Sequence, residues 1–252
     1  MPDAVSVNLP DASETTREPL GSAAMGAATF LSRGLRWGLL VGAVIGGLGG
    51  RLAMFVLRVT SDAELHGVRT DDDFKIGRFT LATLFLVVLT ALLGAFGGLV
   101  YLLVREWLPR NWRAVAYGVL CATVVGSTII SADGIDFKVL SPLSLAVAMF
   151  VVIPGAYGAV VSMLIERSIR LGRVRRGGWQ WLAVLPLALV LLSGPFALVA
   201  FVVFAVVLFA NRSGRVADLW RRAPMVWVGR CAVSIAFLVS GAALVQDVGE
   251  VL

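Results

Sequence analysis

The chain is a series of long apolar runs separated by short polar connections. A helix rises 1.5 Å per residue, so a run of roughly 20 apolar residues crosses a hydrocarbon core about 30 Å thick. On that pattern, membrane spans are predicted at residues 35–57, 79–104, 114–130, 142–165 and 225–245. The run at 179–210 is longer than one upright helix needs, and Ser193-Gly194-Pro195 sits in its middle as a breaker. Two readings fit it: a hairpin of two short helices, or one long tilted helix. Loop charge favours the hairpin. It collects fifteen of the 22 Lys and Arg on the side of the N-terminus, whereas a single helix nearly abolishes the asymmetry.

The expected fold is all-α, a polytopic transmembrane helix bundle over residues 31–252 with seven spans, alternatively six. Residues 1–30 are polar and rich in Pro, Ser, Thr and acids, which reads as a disordered cytoplasmic tail with no cleavable signal peptide. The expected location is the plasma (cytoplasmic) membrane, with the N-terminus cytoplasmic and the C-terminus outside.

Glycine stands at every fourth position of GLRWGLLVGAVIGGLGGR: Gly34, Gly38, Gly42, Gly46 and Gly50. With 3.6 residues per turn, that spacing draws one stripe along a helix face. Helices in lipid associate through close backbone approach, so the stripe predicts a helix-packing surface. Gly94 and Gly98, with Ala91 a turn earlier, offer a matching small face on the second span. Two uses are open: packing within the chain, or self-association into a homo-oligomer.

Arg51 ends the stripe and shares a face with Arg58, seven residues on. A guanidinium inside a span is costly, so it either snorkels to headgroups or pairs with an acid. Asp133 and Asp136, which follow the third span, are the nominated partners. The loops HGVRTDDDFKIGRFT and IISADGIDFKVLSP read as short β-hairpins on the same outer side. The expected outer polar cluster is therefore Arg51, Arg58, Asp72, Asp73, Asp133 and Asp136. Consecutive aspartates do not match the alternating ligands of a calcium loop, and one histidine, His66, makes no multi-histidine metal or bis-histidine haem site. No metal and no cofactor are expected.

The segments GRLAMFVLR, TDDDFKIGRFT, ADGIDFKVLSP and LAVAMFVVIPGAYGA resemble a group of uncharacterised multi-pass membrane proteins of actinobacteria, over about residues 40–165. Asp72, Asp73, Phe74, Gly77, Asp133, Asp136 and Phe137 fall on the shared pattern, and Asp73 stands where the group has a turn glycine. The resemblance implies membrane placement and a site on the outer face.

Composition and charge narrow the function. Hydrophobic residues make up 58% of the chain and charged residues 15%, against about 25% charged in soluble domains. The net charge of +6 comes from arginines at the ends of apolar runs, a topology signal rather than a nucleic-acid stripe. These arginines are expected to meet anionic headgroups of the lipid bilayer, and no nucleic-acid partner is expected. Cys121 and Cys231 lie in apolar runs and read as small core residues. Phosphate-loop, HExxH and GxSxG motifs are missing from the sequence. The reading that follows is a non-catalytic structural or interaction protein. Its alternative is a transporter or channel for a small anionic solute, using Arg51 and the broken 179–210 segment.

Overall fold

A computed structural model of the chain describes residues 20–60, 81–129, 143–171 and 222–251, with single positions at 202, 203, 205, 207 and 220. The described elements are α1 (Leu20–Val41), a π-helical segment (Gly42–Gly49), α2 (Gly50–Thr60), α3 (Leu81–Val104), α4 (Arg113–Ile129), α5 (Leu143–Arg170) and α6 (Ala223–Val251). Four stretches are long and apolar enough to cross a bilayer: Met25–Leu57, Leu84–Val104, Ser144–Arg170 and Ala223–Gly249. A fifth apolar helix, Arg113–Thr128, is shorter. The chain is an integral, multi-pass membrane protein. The predicted β-hairpin loops, most of 179–210, and residues 1–19 lie outside the described residues.

Two boundaries depart from the hydropathy pattern. The first helix begins at Leu20, inside the stretch read as a disordered tail ending at residue 30. Ala, Gly, Ser and Thr weigh little on a hydropathy scale, yet Ala27, Ala28 and Leu31 are 0%, 6% and 0% exposed. Two hydroxyls here are satisfied within the helix, Thr29 donating to the Met25 carbonyl and Ser32 to that of Thr29. At the other end of the bundle's chain, α5 continues past residue 165 to Arg170. Buried Ile165 and partly buried Ile169 keep that last turn on the core, and Glu166 beside them is paired.

The bundle is built around α3. One side of α3 packs antiparallel on α1 and the π segment, and α5 touches both α1 and α3. α4 lies antiparallel along α5, and α6 leans on α4. One buried cluster joins these elements, with Leu31, Leu35, Leu99, Leu102, Val161 and Ile165 among its members. A smaller one ties Val147 of α5 to Leu244 and Val248 of α6. The opposite faces carry exposed Leu, Val and Phe, including Leu40, Val44, Leu48, Leu52 and Phe55 along the first rod. In water such a surface would aggregate; in lipid it is the ordinary solvent-facing side. Cys121 is partly buried, whereas Cys231 is exposed on α6 rather than held in a core.

Candidate functional site

The sequence-predicted glycines fall into two groups. A Cβ added at Gly34 would lie 2.7 Å from Leu102 Cδ1 and 2.8 Å from the Gly98 carbonyl oxygen. One at Gly38 would run into the Gly94 carbonyl and come within 2.8 Å of Ala95 Cα, and one at Gly42 would lie 2.8 Å from Gly94 Cα. From the other side, a Cβ at Gly94 would lie 2.6 Å from Gly42 Cα, and one at Gly98 would strike the Gly34 carbonyl. The chain's own α3 therefore fills the groove of Gly34, Gly38 and Gly42. Real Cβ atoms do not come this close to backbone, so glycine here is a steric requirement. Its return is dispersion between two backbones in direct contact.

Gly46 and Gly50 behave differently. Gly46 faces the Thr90 side chain, its Cβ position being 3.1 Å from Thr90 Cβ, and no atom of the described residues lies within 4 Å of the corresponding position at Gly50. The cause is the π-helical turn over Gly42–Gly49, whose wider i→i+5 hydrogen bonding shifts the angular phase of the stripe. The Gly50 N–H then reaches the carbonyls of Gly46 and Gly47 as the α-helical pattern resumes. Regular four-residue spacing in the sequence thus does not remain one face in space.

A second small-residue seam went unread in the sequence. Gly118 of α4 meets the Gly155 carbonyl and Ala159 of α5, at 2.9 and 3.1 Å from its added Cβ. Gly158 meets Cys121 Sγ and the Tyr117 carbonyl, both at 2.8 Å. Gly118, Cys121 and Ala122 on one helix, with Gly155, Gly158 and Ala159 on the other, make a small-residue interface. Pro154 adjoins it inside α5, where it cannot donate the usual helical hydrogen bond to the Phe150 carbonyl.

Between the two seams, tyrosines bond to the backbone of α3. Tyr157 Oη donates to the Gly94 carbonyl at 2.5 Å, and Tyr117 Oη to the Gly97 carbonyl at 2.6 Å. Gly97 has its own steric reason, because a Cβ there would lie 2.6 Å from Tyr157 Oη. α3 is therefore stripped of side chains on two faces, one for α1 and one for a tyrosine.

The charged chemistry gathers where α3 ends. Pro109 stops the helix, buried Leu108 anchors the turn, and α4 starts at Arg113. Glu166 of α5 places one oxygen, Oε1, among three donors: Tyr101 Oη at 2.9 Å, Arg105 Nε at 3.0 Å and Arg113 Nη1 at 3.2 Å. Glu106 completes the cluster, 3.3 Å from Arg105 Nη1 and 3.6 Å from Arg113 Nη2. The four side chains are between 11% and 24% exposed. Two guanidiniums and two carboxylates are formally neutral together, which is what lets this set sit largely out of water. Tyr101 also meets the Tyr117 ring edge-on, with centroids 5.0 Å apart. Arg113 Nε and Trp107 Nε1 are buried without a hydrogen-bond partner among the described residues.

The same turn holds α6. The Trp107 ring lies on Gly229, where no other residue would leave room, and its centroid is 5.0 Å from that of Trp220. Arg230 Nε donates to the Trp107 carbonyl at 3.3 Å. The sequence carries one sign of this cluster: Glu106 and Glu166 are isolated acids among arginines, and isolated acids near a membrane boundary need partners.

Of the expected outer polar cluster, Arg51 is half-buried and engaged by another group of the protein, and Arg58 lies further along α2. Asp72, Asp73, Asp133 and Asp136 lie outside the described residues. Among the described residues, no three His, Cys, Asp or Glu side chains gather as metal ligands do. No protein-family model, curated protein or solved structure matches the chain. The actinobacterial resemblance therefore rests on the quoted segments alone.

Proposed function

We propose that the protein is a non-catalytic membrane protein, structural or interacting, whose helices are held by internal glycine seams. The observation that carries this reading is where the polar groups go. Tyr117 and Tyr157 serve backbone carbonyls, Ser162 and Thr90 bond back to their own helices, and Glu166 joins three donors from α3 and α4. The two tyrosines and Glu166 join one helix to another, and the two hydroxyls are satisfied on the helices that carry them. The test is anion efflux from loaded vesicles containing the purified protein. Efflux is expected at the rate of protein-free vesicles, and a faster rate abolished by Arg51→Gln would overturn the reading in favour of transport.

The proposed topology has seven crossings, with the arginine-rich end cytoplasmic in the plasma membrane and the C-terminus outside. Support comes from direction. α4 and α6 run parallel, since Trp107 before α4 meets Gly229 early in α6, and Gly126 late in α4 meets Leu244 late in α6. α5 runs opposite to both, so the chain leaves α5 and enters α6 at the same end. A hairpin at 179–210 returns the chain to that same end, so this direction supports the hairpin over one spanning helix. Single cysteines at Asn111 and Gly249, in a chain with Cys121→Ala and Cys231→Ala, test it. An impermeant maleimide applied to intact cells is expected to label position 249 and spare 111; the reverse, or equal labelling, overturns it.

A further inference from the structure

Two sets of arginines stand out at the end formed by the α3–α4 turn. Arg105 and Arg113 are turned inward and neutralised by Glu106 and Glu166. Arg110 in the turn, Arg167 and Arg170 in the last turn of α5, and Arg222 just before α6 are exposed. None of these four forms an ion pair with a carboxylate among the described residues. The internal network has thus used both acids described at this end and left the outward guanidiniums without a carboxylate partner among the described residues. Arg222 has a further reason to need one, because it precedes the N-terminal, positive end of the α6 dipole. Trp112 and Trp227, 65% and 64% exposed, stand among these arginines, as indoles do at the level of lipid headgroups.

We infer that this outward set is a docking surface for anionic phospholipid headgroups, with Arg110, Arg167, Arg170 and Arg222 meeting phosphodiester oxygens. Guanidinium suits that task, being always charged and able to take two phosphate oxygens at once. The inference rests on the proposed reading in one respect, that this end lies at the membrane surface. It goes further in requiring the surface to select lipids by charge.

The test uses the full chain in detergent, offered equal amounts of phosphatidylglycerol and phosphatidylcholine with identical acyl chains, and native mass spectrometry to count bound lipids. Phosphatidylglycerol is expected to exceed phosphatidylcholine by at least about fivefold, the factor one arginine provides near an anionic surface. The preference should vanish when the four arginines become glutamine and persist when they become lysine. Retention with lysine shows that the loss with glutamine is one of charge rather than of fold. Equal binding by the wild type, a glutamine set that still prefers phosphatidylglycerol, or loss in both sets would overturn the inference. Displacement of the lipid by inorganic phosphate at constant ionic strength would also overturn it, by making the surface a free-anion site. Anion efflux from vesicles would sink the proposed function without changing this ratio, so the two failures are distinguishable.

Discussion

The α1–α3 seam and the Glu166 cluster both join helices that are distant in sequence, yet they do so by opposite means. The seam removes side chains until backbones touch, and its strength is the sum of many weak contacts. The cluster gathers two guanidiniums and a hydroxyl around two carboxylates, and its strength depends on every member being present. The seam runs at bilayer depth, where an unpaired charge is most costly, and the cluster sits where α3 gives way to a polar turn. The lesson is one of placement: close contact serves where water is absent, and charge pairing serves at the border where solvation changes.

That contrast can be broken most severely at the cluster. Glu166→Ala leaves Arg105 and Arg113 sharing Glu106 alone and Tyr101 without its acceptor, and the expected loss is about 3–5 kcal/mol, as for a buried pair missing one partner. Adding Arg113→Met to the same chain restores neutrality and is expected to recover more than half of that loss. Thermal unfolding in detergent reads both. A double variant no more stable than Glu166→Ala would show that the cluster does not act as a neutral unit.

The tyrosine bonds sharpen the comparison at its small end. Tyr157→Phe removes the donor to the Gly94 carbonyl and leaves the ring in place. The carbonyl still has its own helix to bond to, and polar bonds between membrane helices average about 0.6 kcal/mol. A loss near that value is expected in the same unfolding assay. A loss as large as that from Glu166→Ala would mean that the seam is held by hydrogen bonding rather than by close contact.

Much of the fold was legible as hydropathy, because lipid forces apolar residues into runs of a known length. The spans at 79–104 and 114–130 fall within two residues of α3 and α4, and α6 starts two residues before the predicted 225. The start of α1 was not legible, since small residues such as Ala27 and Ala28 bury well but score weakly. The pairing of the Gly34 stripe with Gly94 and Gly98 could be proposed from spacing. The departure of Gly50 could not, because a π turn changes the period that the spacing argument assumes. The Glu166 cluster was hidden for another reason. Its members are separated by up to 65 positions, and only the antiparallel docking of α3, α4 and α5 brings Tyr101, Arg105, Arg113 and Glu166 together.

The central claim is that the glycine stripe is closed by the chain's own α3 and leaves the seam at Gly50. Alanine at two glycines of that stripe tests it directly, with the two variants unfolded side by side in the same detergent. Gly38→Ala places a methyl against the Gly94 carbonyl, so a loss of about 1–3 kcal/mol is expected, the usual cost of overpacking. Gly50→Ala meets no atom of the described residues within 4 Å and removes a flexible residue from a helix, so a gain of about 0.5–1 kcal/mol is expected. Opposite signs are the prediction. Two variants that shift stability in the same direction by the same amount would contradict the seam as described.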